Sequence, residues 1–180
     1  MTVNDELEKI IILHKNQNYP ESVMYLDGFI DQFFYNSSTN MIFSINFSLC
    51  RQINTVLETI IKNYSITPQI LSRRGFVLFL LGRYDEALKS FKNSYSMDDS
   101  DVFCLLNFGF VLLKLNKFND GILYFDKVLE TDSNHHQALL GKGICLEALG
   151  KHNEATKYYS SMLNISEKNS NFFRNIGFSL

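Results

Sequence analysis

Three stretches of this chain, GRYDEALKSF at 82–91, NKFNDGILYF at 116–125 and GKHNEATKYY at 150–159, follow one another at a fixed spacing of 34 residues. Laid over one another they put Gly75, Gly109, Gly143 and Gly177 in a single column, and Leu71, Leu105, Leu139 and Phe173 in another. Further columns hold Leu78, Leu112, Leu146 and Leu180, then Ala87, Gly121 and Ala155, then Phe91, Phe125 and Tyr159. One supersecondary unit repeated at such a period cannot bury its apolar face alone, so the units must stack into a solenoid with a continuous core.

Inside one period the apolar residues keep helical spacing. Leu105, Phe108, Gly109 and Leu112 share one stripe, and Phe118, Ile122, Phe125, Val128 and Leu129 the next, which predicts two helices per period. Gly82 and Gly150, with Asn116 in the same column, stand between the two helices, where a left-handed residue lets the chain turn. Thr67 before Pro68 reads as a helix cap followed by a residue suited to the first helical position, and Ser100 or Asp101 can cap the next first helix. The small Gly and Ala columns let paired helix backbones approach closely.

This pattern of large apolar, Leu, Gly, aromatic and Ala columns resembles that of the tetratricopeptide repeat family. The resemblance spans three repeats at 68–101, 102–135 and 136–169, and 170–180 reads as the first helix of a further repeat or a terminal cap. Upstream, NYPESVMYLDGFI at 18–30 resembles RYDEALKSFKNSY, while 37–67 is shorter than a period and lacks the glycine, so 1–67 reads as degenerate N-terminal repeats. Two columns depart from the family pattern: Arg74 and Lys142 stand where Leu is usual, and Asp99 and Ser133 where Pro is common. The resemblance implies an all-α fold, an α-solenoid of stacked antiparallel helix pairs in a right-handed superhelix. It also implies a concave surface, made by the first helices, that is presented to a peptide or protein.

At about 100° per residue, the face of the first helices opposite Leu105 and Leu112 carries Phe103, Leu106, Phe110 and Leu113. The equivalent positions are Phe76 and Phe79 in the preceding repeat, Leu140 and Ile144 in the following one, and Phe178 in the last. These residues form the candidate partner-binding groove. A helix apolar on both faces is normally buried on both, so an occupant is expected: this chain's own N-terminal segment or tight superhelical closure, a segment of another protein, a second copy of the chain, or a small apolar ligand. In the family subgroup that clamps the carboxylate of chaperone tails, first helices supply Lys and Asn; here the matching positions hold Ser72, Phe76, Leu106 and Phe110, and Asn107 alone fits. An apolar or amphipathic helix is therefore the expected partner.

Charge and composition exclude other classes. A net charge of −2, a pI near 6.1 and a groove without regular Arg or Lys argue against nucleic acid. Cys50, Cys104 and Cys145 are odd in number, widely spaced and set among apolar residues, which suits reduced buried thiols rather than disulfides or a metal site. His135 and His136 fall in a turn and read as solvated, His152 sits in the aromatic column of Tyr84 and Phe118 and reads as packed, and no constellation suggests catalysis or a cofactor. The acid-bearing N-terminus MTVNDELEKIIILHK is unlike a secretory signal, and FVLFLLG at 76–82 is far short of the roughly 20 apolar residues of a membrane span, so a cytoplasmic location is expected and membrane insertion is not. The expectation is a non-catalytic scaffold or adaptor, the alternative a self-associating module forming a homo-oligomer or a fragment of a larger multidomain protein.

Overall fold

The computed structural model describes residues 3–30, 47–64 and 66–166, and every regular element among them is a helix. In chain order these are α1 (Val3–Lys15), α2 (Tyr19–Ile30), α3 (Phe47–Asn63), α4 (Pro68–Leu80), α5 (Tyr84–Met97), α6 (Val102–Lys114), α7 (Phe118–Thr131), α8 (His136–Ala148) and α9 (His152–Ser166). The expected further first helix at 170–180, with Phe173, Gly177, Phe178 and Leu180, lies outside the described residues, as does 31–46. Each of α4–α5, α6–α7 and α8–α9 is a closely packed hairpin, and α7 packs in turn on α8 and α5 on α6.

The hairpin turns share one chemistry. Gln17, Gly82, Asn116 and Gly150 have φ of 60°, 74°, 58° and 75°. The amide after each donates to the carbonyl five residues back: Asn18 to Leu13, Arg83 to Leu78, Lys117 to Leu112 and Lys151 to Leu146, at 2.8–2.9 Å. This bond closes the helix end by satisfying a carbonyl that the helix leaves open, and it needs a left-handed residue before it. Gln17 lies 65 residues before Gly82, three short of two periods, which is why the N-terminal pair is blurred in the 34-residue alignment.

The glycine column works as predicted, by close approach to the second helix of the same pair. A Cβ at Gly75 would lie 2.9 Å from the Phe91 ring and one at Gly109 2.7 Å from the Phe125 ring, while one at Gly143 would strike Tyr159. The second helices bury the facing stripe: Ala87, Ser90, Phe91 and Ser94 on α5, and Gly121, Phe125 and Val128 on α7. Helix α3 carries the same stripe one period earlier, with Ile53 and Leu57 in the places of Ala87 and Phe91, both buried, and Leu49, Val56 and Ile60 beside them. Ile10, Leu26, Phe29 and Ile30 from α1 and α2 join the buried cluster that α3 and α4 form.

The cations at Arg74 and Lys142, which break the Leu column, answer to acids in the same register. Arg74 Nη2 lies 3.2 Å from Glu58 Oε1 on α3, and Lys142 Nζ pairs with Asp126 Oδ1 on α7; both pairs are 16 residues apart. The pairs stand 68 residues from each other, two whole periods, so α3 meets α4 as α7 meets α8. Between them Phe108 takes the column and lies against Tyr124 with ring centroids 4.2 Å apart. The Lys142 side chain is 14% exposed and Asp126 38%, so solvent screens the pair only in part. A double-mutant cycle with Lys142→Met and Asp126→Asn should return a coupling of about 0.5–1 kcal/mol in urea unfolding, and a coupling of zero would make the pair incidental.

Candidate functional site

The first helices are placed by caps and by two-sided packing. Thr67 Oγ1 accepts from Ile70 N at 3.2 Å, Pro68 opens α4 without wasting an amide, and Asp101 Oδ1 accepts from Phe103 N at 3.0 Å to start α6. Helix α6 is the most enclosed, with Cys104, Leu105, Leu106, Asn107, Phe108, Gly109, Val111 and Leu112 all buried. Part of its second apolar face is therefore already used. Leu106 is 1% exposed and packs with Phe125, Val128 and Ala138.

The eight residues expected to line the groove divide into two sets. Phe76 and Leu106 are buried and have little or no surface to offer. Phe79, Phe103, Phe110, Leu113, Leu140 and Ile144 are half-buried, and the first four pack against the core. Phe76 meets Phe103 edge-on with centroids 5.4 Å apart, tying α4 to α6, and Phe110 meets the buried ring of Phe125 edge-on at 5.1 Å. Phe79 contacts Tyr84 at 5.7 Å across its own hairpin.

One polar side chain on this face was not foreseen. The guanidinium of Arg73 lies 3.9 Å over the Phe103 ring, and its Nε is 3.2 Å from Asp27 Oδ1 on α2. An acid on the N-terminal hairpin, a cation on α4 and an aromatic ring on α6 are thus linked across three helices. The sequence signal was one of two adjacent Arg residues in a first helix, with nothing in the register to name Asp27 as its partner.

The polar residues nearest the clamp pattern are turned inward. Asn107 is 5% exposed and its Nδ2 donates to Phe103 O at 2.8 Å, and the Ser72 hydroxyl donates to Gln69 O at 2.9 Å. Both bonds run back along their own helices. The two histidine readings need correction. His135 is half-buried, and its Nδ1 accepts from Ala138 N to cap α8, because the cap column of Thr67 and Asp101 falls on it. His152 is exposed, since an imidazole opening α9 can stay in water where Tyr84 and Phe118 tuck in. All three cysteines are buried, and burial pushes each thiol up to about 11, which keeps it protonated and unreactive near neutral pH. Among the described residues no group of three His, Cys, Asp or Glu side chains is placed to hold a metal ion, and no helix is long and apolar enough to cross a membrane.

Paired antiparallel helices stacked through a 34-residue register, with a glycine under each second-helix aromatic, define an α-solenoid. Two tetratricopeptide repeat family models match the chain, one over residues 68–101 and one over 106–170, together more than half of it. The chain belongs to the tetratricopeptide repeat family. Its fold is similar to that of YrrB, a tetratricopeptide repeat protein described as having an unusual peptide-binding site, at a TM-score of 0.64 and 14% identity over 94% of this chain and 89% of that one. It is similar also to MamA, at 0.63 and 12% identity over 99% and 97%. The second repeat domain of Spaghetti (RPAP3), solved bound to an HSP90 peptide, matches at 0.52 and 22% identity over 54% of this chain and 90% of that one. No curated protein matches this chain. At these identities the likenesses establish the fold alone.

Proposed function

We propose that this protein is a non-catalytic interaction scaffold that holds an apolar or amphipathic helical segment of another protein along its first helices. The observation that carries the reading is the row of half-buried apolar side chains, Phe79, Phe103, Phe110, Leu113, Leu140 and Ile144, that runs over α4, α6 and α8. A monomer has little reason to leave so many large apolar groups part-exposed along one face. Two solved relatives of the same fold are described as peptide-binding or peptide-bound, which supports a peptide or protein partner for this one. The inward bonds of Asn107 and Ser72 remove the polar groups with which a carboxylate-ended tail would be gripped, so the reading favours apolar contact over charge. The organisation it assumes is three repeats at 68–101, 102–135 and 136–169, preceded by degenerate repeats in 1–67, in a cytoplasmic setting where buried thiols stay reduced.

The test begins with the intact protein as bait and mass spectrometry of what it retains, followed by calorimetry with the identified segment. Burial of one Phe side chain is worth about 1.5–3 kcal/mol, so Phe110→Ser should weaken binding by at least about tenfold. Because Phe110 also rests on Phe125, Ile144→Ser is measured beside it as a variant without that contact. Unchanged affinity in both, or loss of fold without loss of association, removes this face from the binding surface. Concentration-dependent mass in light scattering, without any retained partner, would favour the self-associating alternative.

A further inference from the structure

The residue before each first helix falls in one column, Thr67, Asp101 and His135, and each turns its side chain onto an open amide of the helix that follows. At His135 the acceptor is Nδ1, 3.4 Å from Ala138 N. An imidazole nitrogen accepts only while it carries no proton, so this geometry places the hydrogen on Nε2. A hydroxyl in the same place does not titrate, and a carboxyl keeps acceptor capacity even when protonated. His135 is the one member of the column whose cap disappears on taking up a proton.

We propose that His135 makes the joint between the α6–α7 and α8–α9 hairpins sensitive to pH: protonation at Nδ1 removes the acceptor for Ala138 N and sets a positive charge at the N-terminus of α8. Both effects act in one direction. The first-turn amides of α8 lose their partner, and the imidazolium faces the positive end of the helix dipole. Helix α8 carries Leu140 one turn on and Ile144 two turns on, so a loosened first turn lies directly beside the apolar face.

Two titratable neighbours act on the ring. Burial is the largest influence and holds the imidazole below its ordinary value; Asp132 at the end of α7 pulls the other way, and His136, the first residue of α8, adds to the lowering. The Asp132 carboxylate also accepts from Asn134 N at 3.0 Å, inside the same turn. A histidine whose value is lowered by folding contributes its stabilisation in full above the ordinary value of 6.5, and that contribution falls as the pH drops through and below it. The joint is closed at pH 7.5 and weakened toward pH 5.5.

Amide hydrogen exchange of Ala138 in the full chain, corrected for intrinsic rates, reads the cap directly. Its protection should fall between pH 7.5 and 5.5, by up to about tenfold. His135→Asn keeps a capping oxygen that does not titrate and should hold the protection at both pH values, while His135→Ala should show low protection at both. His14, also held below its ordinary value by burial, is untouched by these variants, so its contribution stays in the background. The nitrogen shift of the His135 ring, followed through the same pH range, should move in step with the Ala138 amide. Equal wild-type protection at the two pH values, or the same pH dependence retained in His135→Asn, overturns the proposal.

Discussion

Phe125→Ala should lower the stability of the chain by about 3–5 kcal/mol, at the upper end for a single side chain. The ring is fully buried on α7 and is touched from three directions. Gly109 on its own first helix leaves the gap it fills, Gly141 on the next first helix leaves another, and Phe110 lies edge-on at 5.1 Å. Removal opens a cavity between two backbones that cannot close together, because Leu106, Val128 and Ala138 already hold α6, α7 and α8 at their spacing. Urea unfolding with an unchanged m-value is the measurement, and a loss below about 1 kcal/mol would mean the stack collapses around the hole. The same substitution takes away the floor under Phe110. Under the proposed function, binding of a partner segment through that face should weaken in Phe125→Ala even at temperatures where the chain remains folded.

The features that recur once per period were legible because a period repeats the same physical demand. A left-handed residue at the turns of the three aligned hairpins, a glycine under each of their second-helix aromatics and a cap before α4 and α6 could be read from the sequence, and Gly82, Asn116, Gly150, Gly75 and Gly109 meet those demands. Where the demand is met by a pair, a column-by-column reading sees only half. Arg74 and Lys142 looked like defects until Glu58 and Asp126 were found opposite them at the same 68-residue interval. His135 looked like a solvated turn residue because histidine is a rare cap, although its column with Thr67 and Asp101 was the available signal. The apolar face was over-read in one respect. Helical phase tells which side of α6 Leu106 occupies, but not that α8 comes near enough for Ala138 to cover it. The Asp27–Arg73–Phe103 link lay beyond reach for a different reason: α1 and α2 run three residues out of register with the rest, so no column connects Asp27 to Arg73.

Gly109→Leu should destabilise by about 1–3 kcal/mol, and Gly141→Leu by as much or more. Replacing a mid-helix glycine with leucine gains roughly 0.8–1 kcal/mol of helix propensity, so the sign is decided by whether the ring can give way. At Gly109 the first added carbon would stand 2.7 Å from Phe125 Cε1, and at Gly141 it would strike the same ring from the other side. A side chain at the rim of a core could swing outward, but this ring is pinned between the two helices and fully buried, so overpacking outweighs propensity. The sharper consequence is in combination. In a Phe125→Ala background the added leucine enters the vacated space, so Gly109→Leu should be neutral or stabilising there, and the two changes should depart from additivity by about 1–3 kcal/mol. Strict additivity in a four-member set of urea melts would show that Gly109 and Phe125 do not share a site, and would take the close crossing out of the account of how these hairpins are held.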